Sequence, residues 1–227
     1  KNDVIVMNTP GGNSNATAEH SLSLLMSLYR NIPEANTGTH KGLWEKKKFK
    51  GLELRGKNLG IIGFGNVGVR FSEMAIALEM KVSVYSESFS SRKKDYPNIS
   101  SKSLSNLISE SDIISFHCKP PKDGKSLVSM DQLKLMKKNA VLINTARGGL
   151  INENDLKQAL DQGLIKGAAI DVFNEEPAKE NVLFGTKNLI LTPHIAASTV
   201  EAQLVVAEQI ALQISNYLNK GEIINSV

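Results

Sequence analysis

The sequence has few of the residues that mark several classes of protein. Its 227 residues contain one cysteine, Cys118, so an internal disulfide cannot form, which favours a reducing compartment and leads us to expect the cytosol. Phe, Trp and Tyr together make up only 5%, and no basic motif with stacking aromatics accompanies the net charge of +4, so nucleic-acid binding is not expected. No apolar run approaches the roughly 18 residues of a membrane-spanning helix, so a membrane role is not expected either.

The signals of a complete or secreted N-terminus are also missing. The first residue is Lys1, and neither the basic start nor the apolar stretch of roughly 7 to 15 residues of a signal peptide is present. We therefore expect a fragment of a longer, non-secreted protein. The apolar run Val4 to Met7 follows almost at once, and we interpret it as a buried strand.

Short β-branched or aliphatic runs recur between helical patterns along the rest of the chain. Strands that alternate with helices indicate a parallel sheet with helices on both faces. Parallel strands buried on both faces are nearly all apolar, as these runs are. We therefore predict an α/β fold with a doubly wound parallel sheet, a Rossmann-type domain. The predicted strands are Leu59 to Ile62, Lys81 to Tyr85, Asp112 to Phe116, Ala140 to Asn144, Gly167 to Asp171 and Leu189 to Thr192.

Hydrophobic periodicity and capping signals predict the helices. Apolar residues between Asn66 and Met80 repeat at the spacing of one helical face, and an earlier helix is predicted from about Thr17 to Arg30. A long last helix is predicted from Val200 to Leu218. The capping-box patterns Ser129 to Gln132 and Ser198 to Glu201 predict two helix starts.

A glycine-rich turn follows the strand that ends at Ile62. Gly63, Gly65 and Gly68 form the pattern G-x-G-x-x-G, and an amphipathic helix comes directly after it. The first glycine permits a tight turn, the second lets the backbone approach a pyrophosphate, and the third lets helix and strand pack closely. The N-terminus of the helix then offers N–H groups and a positive dipole end to phosphates. The segment predicts a dinucleotide-binding site.

The residues after the strand Lys81 to Tyr85 bear on which dinucleotide binds. A residue at the end of this strand must contact the ribose hydroxyls, and Ser86 and Glu87 follow it. Glu87 would accept hydrogen bonds from the 2′- and 3′-hydroxyls and repel a 2′-phosphate, which favours NAD. Arg92 to Lys94 lie close in sequence and could instead meet a phosphate. NAD is therefore the expected cofactor and NADP the alternative; no metal is expected.

Three further segments come at the ends of predicted strands, where open α/β sheets bind ligands, and they carry Arg147, Glu176 and His194. Hydride transfer to a 2-keto acid needs a fork-shaped cation for the carboxylate and a proton donor beside the carbonyl oxygen. Arg147 would hold the carboxylate, His194 would exchange the hydroxyl proton, and Glu176 would orient the imidazole. Taken singly, the three are compatible with a surface ion pair, a solvated loop acid and a buried structural ring. Together with the glycine turn they predict a 2-hydroxy acid dehydrogenase.

These motifs resemble those of the D-specific 2-hydroxyacid dehydrogenase family through nearly the whole chain. Met7 to Ser14 and Trp44 to Phe49 are most similar to its D-3-phosphoglycerate dehydrogenase branch. The resemblance implies that Arg147, Glu176 and His194 are the catalytic residues, and that Asp171 receives the carboxamide of the nicotinamide. It also implies that Asn66 and Val67 contact the pyrophosphate, that Cys118 lies by the cofactor, and that Thr145, Ala146, Asp171, Ala196 and Ala197 border the nicotinamide.

Two positions depart from the family pattern. Ser86 stands where the family usually has the ribose-binding aspartate, so Glu87 becomes the expected substitute. The sequence His117 to Pro121 replaces the usual threonine and proline after the histidine, so we expect a different loop there.

The resemblance also implies a division of the chain and an activity. Residues 1–198 would form the dinucleotide-binding domain, with a dimerisation arm near residues 41–55, and residues 199–227 a helix that returns to an absent substrate-binding domain. The stretch Lys41 to Arg55, which holds Trp44, is interpreted as this arm or as a surface loop with one satellite aromatic contact. We expect a homodimer, with a tetramer as the alternative for the full-length protein. The isolated fragment is expected to turn over poorly, because the substrate lacks its second wall.

The expected reaction is NAD-dependent oxidation of D-3-phosphoglycerate to 3-phosphohydroxypyruvate, the first step of phosphorylated serine biosynthesis. A glyoxylate or hydroxypyruvate reductase, or another D-2-hydroxyacid dehydrogenase, is the alternative within the same class. An NAD-sensing dimeric scaffold is the alternative from another class.

Overall fold

Seven parallel strands form one sheet in the computed structural model, which describes residues 4–227. In chain order the strands are β1 (Asn58–Ile62), β2 (Lys81–Tyr85), β3 (Ser100–Ser101), β4 (Ile113–Phe116), β5 (Val141–Asn144), β6 (Gly167–Ile170) and β7 (Leu189–Leu191). Their order across the sheet is β3-β2-β1-β4-β5-β6-β7, and every pair is parallel. The order reverses between β1 and β4, which is where open sheets of this kind bind ligands. The predicted doubly wound sheet is confirmed.

The described residues form eight helices: two precede β1, five connect successive strands from β1 to β6, and one follows β7. They are α1 (Ser14–Tyr29), α2 (Ile32–His40), α3 (Asn66–Ala77), α4 (Phe89–Arg92), α5 (Leu104–Glu110), α6 (Met130–Leu135), α7 (Glu153–Asp161) and α8 (Val200–Lys220). No helix in residues 4–227 is both long enough and apolar enough to cross a membrane.

The sheet separates two hydrophobic cores because successive side chains of a strand point to opposite faces. Ile61 belongs to one core and Ile62 to the other. The first core packs Leu25 of α1 and Phe71 of α3 against the sheet, and the second packs residues of α5, α6 and α7, among them Leu156. Burial on both faces explains why these strands are almost wholly apolar.

The helix predictions mostly hold, with shifted ends. α3 begins at Asn66 as predicted but ends at Ala77, and α8 covers the predicted long last helix. The capping box at Ser129 is present, with its N–H donating to Gln132 Oε1 over 3.0 Å. The second predicted box is wrong by one residue. Thr199, and not Ser198, caps α8, because its Oγ1 accepts the Ala202 N–H at 3.1 Å.

The predicted buried strand at Val4 to Met7 is wrong. This segment lies outside the sheet, and the Val4 side chain is 74% exposed. Within residues 4–227 its only pairing is an antiparallel bridge between Met7 and Ser226, flanked by hydrogen bonds from Asn8 N–H to Asn225 O and from Val227 N–H to Val6 O. An apolar run forms a sheet strand only where a neighbouring strand is free to pair with it, which local sequence does not determine.

Sequence patterns did not predict β3 or α2. β3 has only two residues, both exposed serines, and α2 buries none of its side chains. The stretch after α2 projects its tryptophan outwards, since Trp44 is 86% exposed. Trp44 therefore does not make the satellite aromatic contact of the surface-loop interpretation within the part of the chain that the structure describes.

Candidate active site

The glycine turn closes against the loop that follows β4. Gly63 has a φ of 95°, and a Cβ added there would lie 2.5 Å from the carbonyl oxygen of His117. A Cβ on Gly68 would lie 2.3 Å from the carbonyl oxygen of Gly63, so strand and helix are in direct backbone contact. By contrast, a Cβ on Gly65 would meet no atom within 4 Å. Gly65, the glycine at which the motif brings the backbone close to a phosphate, therefore has open space beside it.

A cleft of about 330 Å³ opens in front of this turn, at the carboxyl ends of the strands. Eight predicted site residues line it: Val67, Cys118, Thr145, Ala146, Arg147, His194, Ala196 and Ala197. The start of α3 at Asn66 has no side-chain cap, so its first N–H groups remain available to an anion. Backbone space and free donors together fit the pyrophosphate of a dinucleotide.

His194 is held by a short hydrogen bond to a carboxylate. Its Nδ1 lies 2.6 Å from Glu176 Oε2, and Glu176 Oε1 accepts the Phe173 N–H at 2.9 Å. Partial burial tends to raise the pKa of Glu176, but the hydrogen bonds from Phe173 and His194 outweigh it and lower that pKa. Because Nδ1 is engaged by the carboxylate, Nε2 is the nitrogen left to exchange a proton with a ligand.

Arg147 lies at the edge of the same cleft on a turn after β5. Its Nη1 donates to the carbonyl of Ala146 at 2.6 Å, and no carboxylate lies within ion-pair distance among residues 4–227. The surface ion pair considered from the sequence is therefore not formed. Asn144 stabilises the turn, with Nδ2 donating to Arg147 O and Oδ1 accepting the Ala146 N–H. The guanidinium is exposed and available to an anionic ligand.

Asp171 is enclosed beneath the turn that carries His194. Its side chain is fully buried, and its oxygens accept hydrogen bonds from the Thr192 hydroxyl, Ile195 N–H and Ala196 N–H at 2.6 to 2.9 Å. Burial alone would raise the pKa of Asp171, but these bonds and that of His20 lower it. The carboxylate thus fixes the histidine turn; its predicted contact with a carboxamide stays a prediction.

The predicted ribose contacts lie outside the cleft, at the end of β2. The Gly63 N–H donates to Tyr85 O, which places Ser86 directly beside the glycine turn. The Ser86 hydroxyl lies 3.0 Å from that of Ser88, and Glu87 is exposed and in no ion pair of the described residues. Both residues remain accessible to an adenosine ribose.

Sequence reasoning missed the contribution of α1. Thr17 of this helix and Asn13, the residue just before it, line the cleft, and Ser21 Oγ lies 2.7 Å from Thr145 Oγ1. A further residue of α1, His20, reaches Thr192. One signal was available: Thr17 and Ser21 are polar residues four positions apart within an otherwise apolar helical face.

The loop after β4 supplies two titratable side chains to the cleft wall. Burial lowers the pKa of His117 to about 3, and it raises the pKa of Cys118 to about 11. His117 Nε2 contacts Ser115 Oγ at 2.9 Å, while Nδ1 is buried with no hydrogen-bond partner in the described structure. Both groups are therefore uncharged near neutral pH.

A second, mainly apolar cavity of about 510 Å³ borders His194 and Glu176. Phe173, Phe184 and Leu191 contribute to its wall. The imidazole of His194 thus lies between the two cavities.

The sheet order and the cleft at its reversal point define a dinucleotide-binding domain. An imidazole paired with a carboxylate, with an exposed guanidinium on the same cleft, suits the chemistry of a dehydrogenase. Comparison with known families gives the same class. The profile described as "D-isomer specific 2-hydroxyacid dehydrogenase, NAD binding domain" matches residues 22–196. The chain belongs to this family of oxidoreductases.

Individual relatives differ in the activity for which they are named. The chain is 39% identical over 225 residues to a D-3-phosphoglycerate dehydrogenase of Archaeoglobus fulgidus, covering 99% of this chain and 43% of that protein. It is 38% identical over 230 residues to a glyoxylate reductase of Thermococcus litoralis, covering 98% and 69%. An acyclic imino acid reductase solved with NADPH and D-arginine superposes with a TM-score of 0.90 at 34% identity, covering 100% and 72%. The chain thus spans less than half the length of the first of these relatives.

Proposed function

We propose that this chain is the cofactor-binding part of an NAD-dependent D-3-phosphoglycerate dehydrogenase, which forms 3-phosphohydroxypyruvate in the first step of serine biosynthesis. The observation that carries the proposal is the 2.6 Å His194–Glu176 contact with Arg147 on the same cleft. The similarity to phosphoglycerate dehydrogenases over 99% of the chain supports the substrate.

The catalytic roles follow from the chemistry of the three side chains. The cleft residues would hold NAD, which would supply the acceptor for the hydride released from C2 of the hydroxy acid. His194 Nε2 takes the hydroxyl proton, and Glu176 stabilises the imidazolium that results. Arg147 binds the substrate carboxylate through its planar fork and sets the C2–H bond towards the cleft. A histidine acting as general base contributes roughly 10²- to 10⁴-fold in rate.

The cofactor would lie along the rim from the end of β2 to the turn of His194. Glu87, exposed and without an ion-pair partner in the described chain, supports selection of NAD by repelling a 2′-phosphate. The proposed contacts are Gly63, Gly65, Asn66, Val67 and Gly68 at the pyrophosphate, Ser86 and Glu87 at the ribose, Cys118 beside the cofactor, and Thr145, Ala146, Arg147, Asp171, His194, Ala196 and Ala197 towards the nicotinamide.

A larger assembly is part of the proposal. Residues 1–198 would form the dinucleotide domain and residues 199–227 the helix that packs on a substrate-binding domain. Exposed apolar side chains along α8, including Val200 at 71% and Leu218 at 74%, support such a second domain. The 86% exposure of Trp44 supports an arm that packs against a second copy in a homodimer.

Binding and turnover of the whole protein test this function. Calorimetric titration should show tighter binding of NADH than of NADPH, and 3-phosphoglycerate should be oxidised faster than glycerate. His194→Ala should keep NADH binding and lose at least about 10²-fold in kcat. A wild type that binds NADH but turns over no hydroxy or keto acid would contradict the enzyme and support the NAD-sensing scaffold.

A glyoxylate or hydroxypyruvate reductase is the second candidate. It is favoured by the 38% identity to the Thermococcus litoralis glyoxylate reductase, of which the chain covers 69%. Ser86, in place of a carboxylate, is also compatible with NADPH. Faster reduction of glyoxylate than of 3-phosphohydroxypyruvate, with NADPH bound more tightly than NADH, would select this candidate.

A further inference from the structure

Two adjacent residues of α1 touch the two segments that carry the proposed reacting side chains. His20 Nε2 lies 3.2 Å from Thr192 Oγ1 and 3.5 Å from Asp171 Oδ1, beneath the turn of His194. Ser21 Oγ lies 2.7 Å from Thr145 Oγ1, on the turn that carries Arg147. One turn of helix therefore joins both sides of the cleft.

The contact of His20 has a defined direction. The Thr192 hydroxyl donates to Asp171 Oδ1 at 2.6 Å, so its oxygen is left to accept the Nε2–H of His20. Asp171 then holds Ile195 N–H and Ala196 N–H, which flank the turn just after His194. The His20 side chain is 19% exposed and that of Asp171 is fully buried, so solvent screens this chain of bonds little.

The contact of Ser21 is enclosed as well. Ser21 is fully buried, and Thr145 is 4% exposed. Ser21 Oγ donates to Thr17 O at 2.8 Å, so Thr145 supplies the hydrogen in the bond between the two hydroxyls. This anchors Thr145 two residues before Arg147.

We propose that His20 and Ser21 are positioning residues that together set the separation between His194 and Arg147. The inference rests on the proposed function for its chemical meaning, because the two side chains must engage one substrate at the same time. A geometric error of about 1 Å in such a site costs roughly 10²-fold in rate. Each of the two contacts has its own consequence. His20 acts on proton transfer through the His194 turn, and Ser21 acts on carboxylate binding through the Arg147 turn.

Variants of the whole protein distinguish the contact of His20 from the contact of Ser21. His20→Leu should lower kcat for 3-phosphohydroxypyruvate reduction about tenfold with KM within twofold, and His20→Gln, which keeps a donor near Nε2, should restore most of it. Ser21→Ala should raise KM several-fold with a smaller change in kcat. Ser23→Ala, which removes only an exposed bond to Glu19 O on the same helix, is the matched control and should change neither.

A readout that does not need turnover completes the test. In proton NMR the hydrogen shared by His194 Nδ1 and Glu176 should resonate far downfield in wild type, weaken or shift in His20→Leu, and stay in place in Ser21→Ala and Ser23→Ala. NADH affinity should stay within about twofold in all four variants.

The same pattern of change in kcat and KM in His20→Leu and Ser21→Ala, or an unchanged downfield resonance in His20→Leu, would overturn the inference. Failure of the proposed function is a different outcome. In that case the wild type turns over no substrate, while the resonance shift in His20→Leu still decides whether α1 positions the His194 turn.

Discussion

His194 is fixed at its backbone as well as at its ring. Its φ of 54° lies in the left-handed region, which costs a non-glycine residue roughly 1–2 kcal/mol. The His194 N–H donates to Asp171 O at 2.8 Å, and Nδ1 meets Glu176, so two hydrogen bonds offset this strain. Backbone strain held in place by its surroundings is characteristic of functional sites.

The pairing of His194 with Glu176 predicts a change in titration. Hydrogen bonding to His194 and Phe173 lowers the pKa of Glu176 against the opposing effect of burial. In His194→Ala one of these bonds is lost, so the pKa of Glu176 should rise. Carbon-detected NMR of the side-chain carboxyl measures it. An unchanged or lower pKa in the variant would show that the contact does not stabilise the carboxylate.

Residue types near the strand ends could be predicted from the sequence, but their mutual contacts could not. Arg147, Glu176 and His194 each follow an apolar run, and ends of parallel strands meet at one edge. His20 lies about 170 residues before Thr192, and only the packing of α1 on the sheet brings them to 3.2 Å. No local pattern contains that information, so the role of α1 became visible only in three dimensions.

At the scale of elements, the glycine turn predicts opposite effects for two similar substitutions. Gly65→Ala should leave the melting temperature unchanged, because its Cβ meets no atom within 4 Å, yet weaken NADH binding at least about tenfold by filling the space for phosphate. Gly68→Ala should destabilise the fold by about 1–3 kcal/mol or more, since its Cβ would lie 2.3 Å from Gly63 O.

Thermal denaturation and calorimetric titration of both variants check this pair. NADH binding by Gly65→Ala as tight as in wild type would place the pyrophosphate elsewhere. A Gly68→Ala protein with the melting temperature of wild type would contradict the close packing of strand and helix.

Asn174 links the loop of Glu176 to the turn of Arg147. Its Oδ1 accepts the Gly149 N–H at 2.6 Å, and its own N–H donates to Glu153 Oε1 at 2.8 Å. Asn174→Ala should speed hydrogen exchange of the Gly149 amide about fivefold, which corresponds to the loss of about 1 kcal/mol for one hydrogen bond. Asn174→Asp keeps an acceptor and should preserve the protection. Equal exchange in all three proteins would show that the link contributes nothing.

Apolar runs predicted the buried strands well, because a strand that is buried on both faces is apolar along its whole length. The predicted Lys81 to Tyr85 coincides with β2, and the other five predicted strands differ from the observed ones by one residue at an end. The same signal failed at Val4 to Met7, which lies outside the sheet, and at β3, whose two serines pair with β2 at the edge of the sheet without an apolar signal. The pairing partner, rather than the local residue type, decided both cases.

At the scale of the whole molecule, enclosure of an ionisable ring makes stability depend on pH. Burial lowers the pKa of His117 to about 3, whereas the pKa of a histidine in an unfolded chain is about 6.5. Between these values the unfolded state binds a proton that the folded state does not, so the free energy of unfolding should fall as pH falls, by about 1.4 kcal/mol per unit from this group.

Urea unfolding at about pH 6.5 and about pH 4.5 measures this slope. His117→Gln removes the titrating group, so the difference in slope between wild type and variant isolates it from carboxyl groups such as Asp112 and Asp171, whose pKa values are lowered. Parallel losses of stability in the two proteins would show that the ring takes up a proton while still folded.

The pairing of Met7 with Ser226 brings the first and last described segments of the chain side by side. A short peptide would therefore suffice to close the backbone into a ring, or to set the whole unit into a surface loop of another protein, without stretching its sheet. Once these two segments are linked, new termini could be opened at an exposed loop elsewhere. The order of the segments along the chain would change, but the contacts of the fold would be the same.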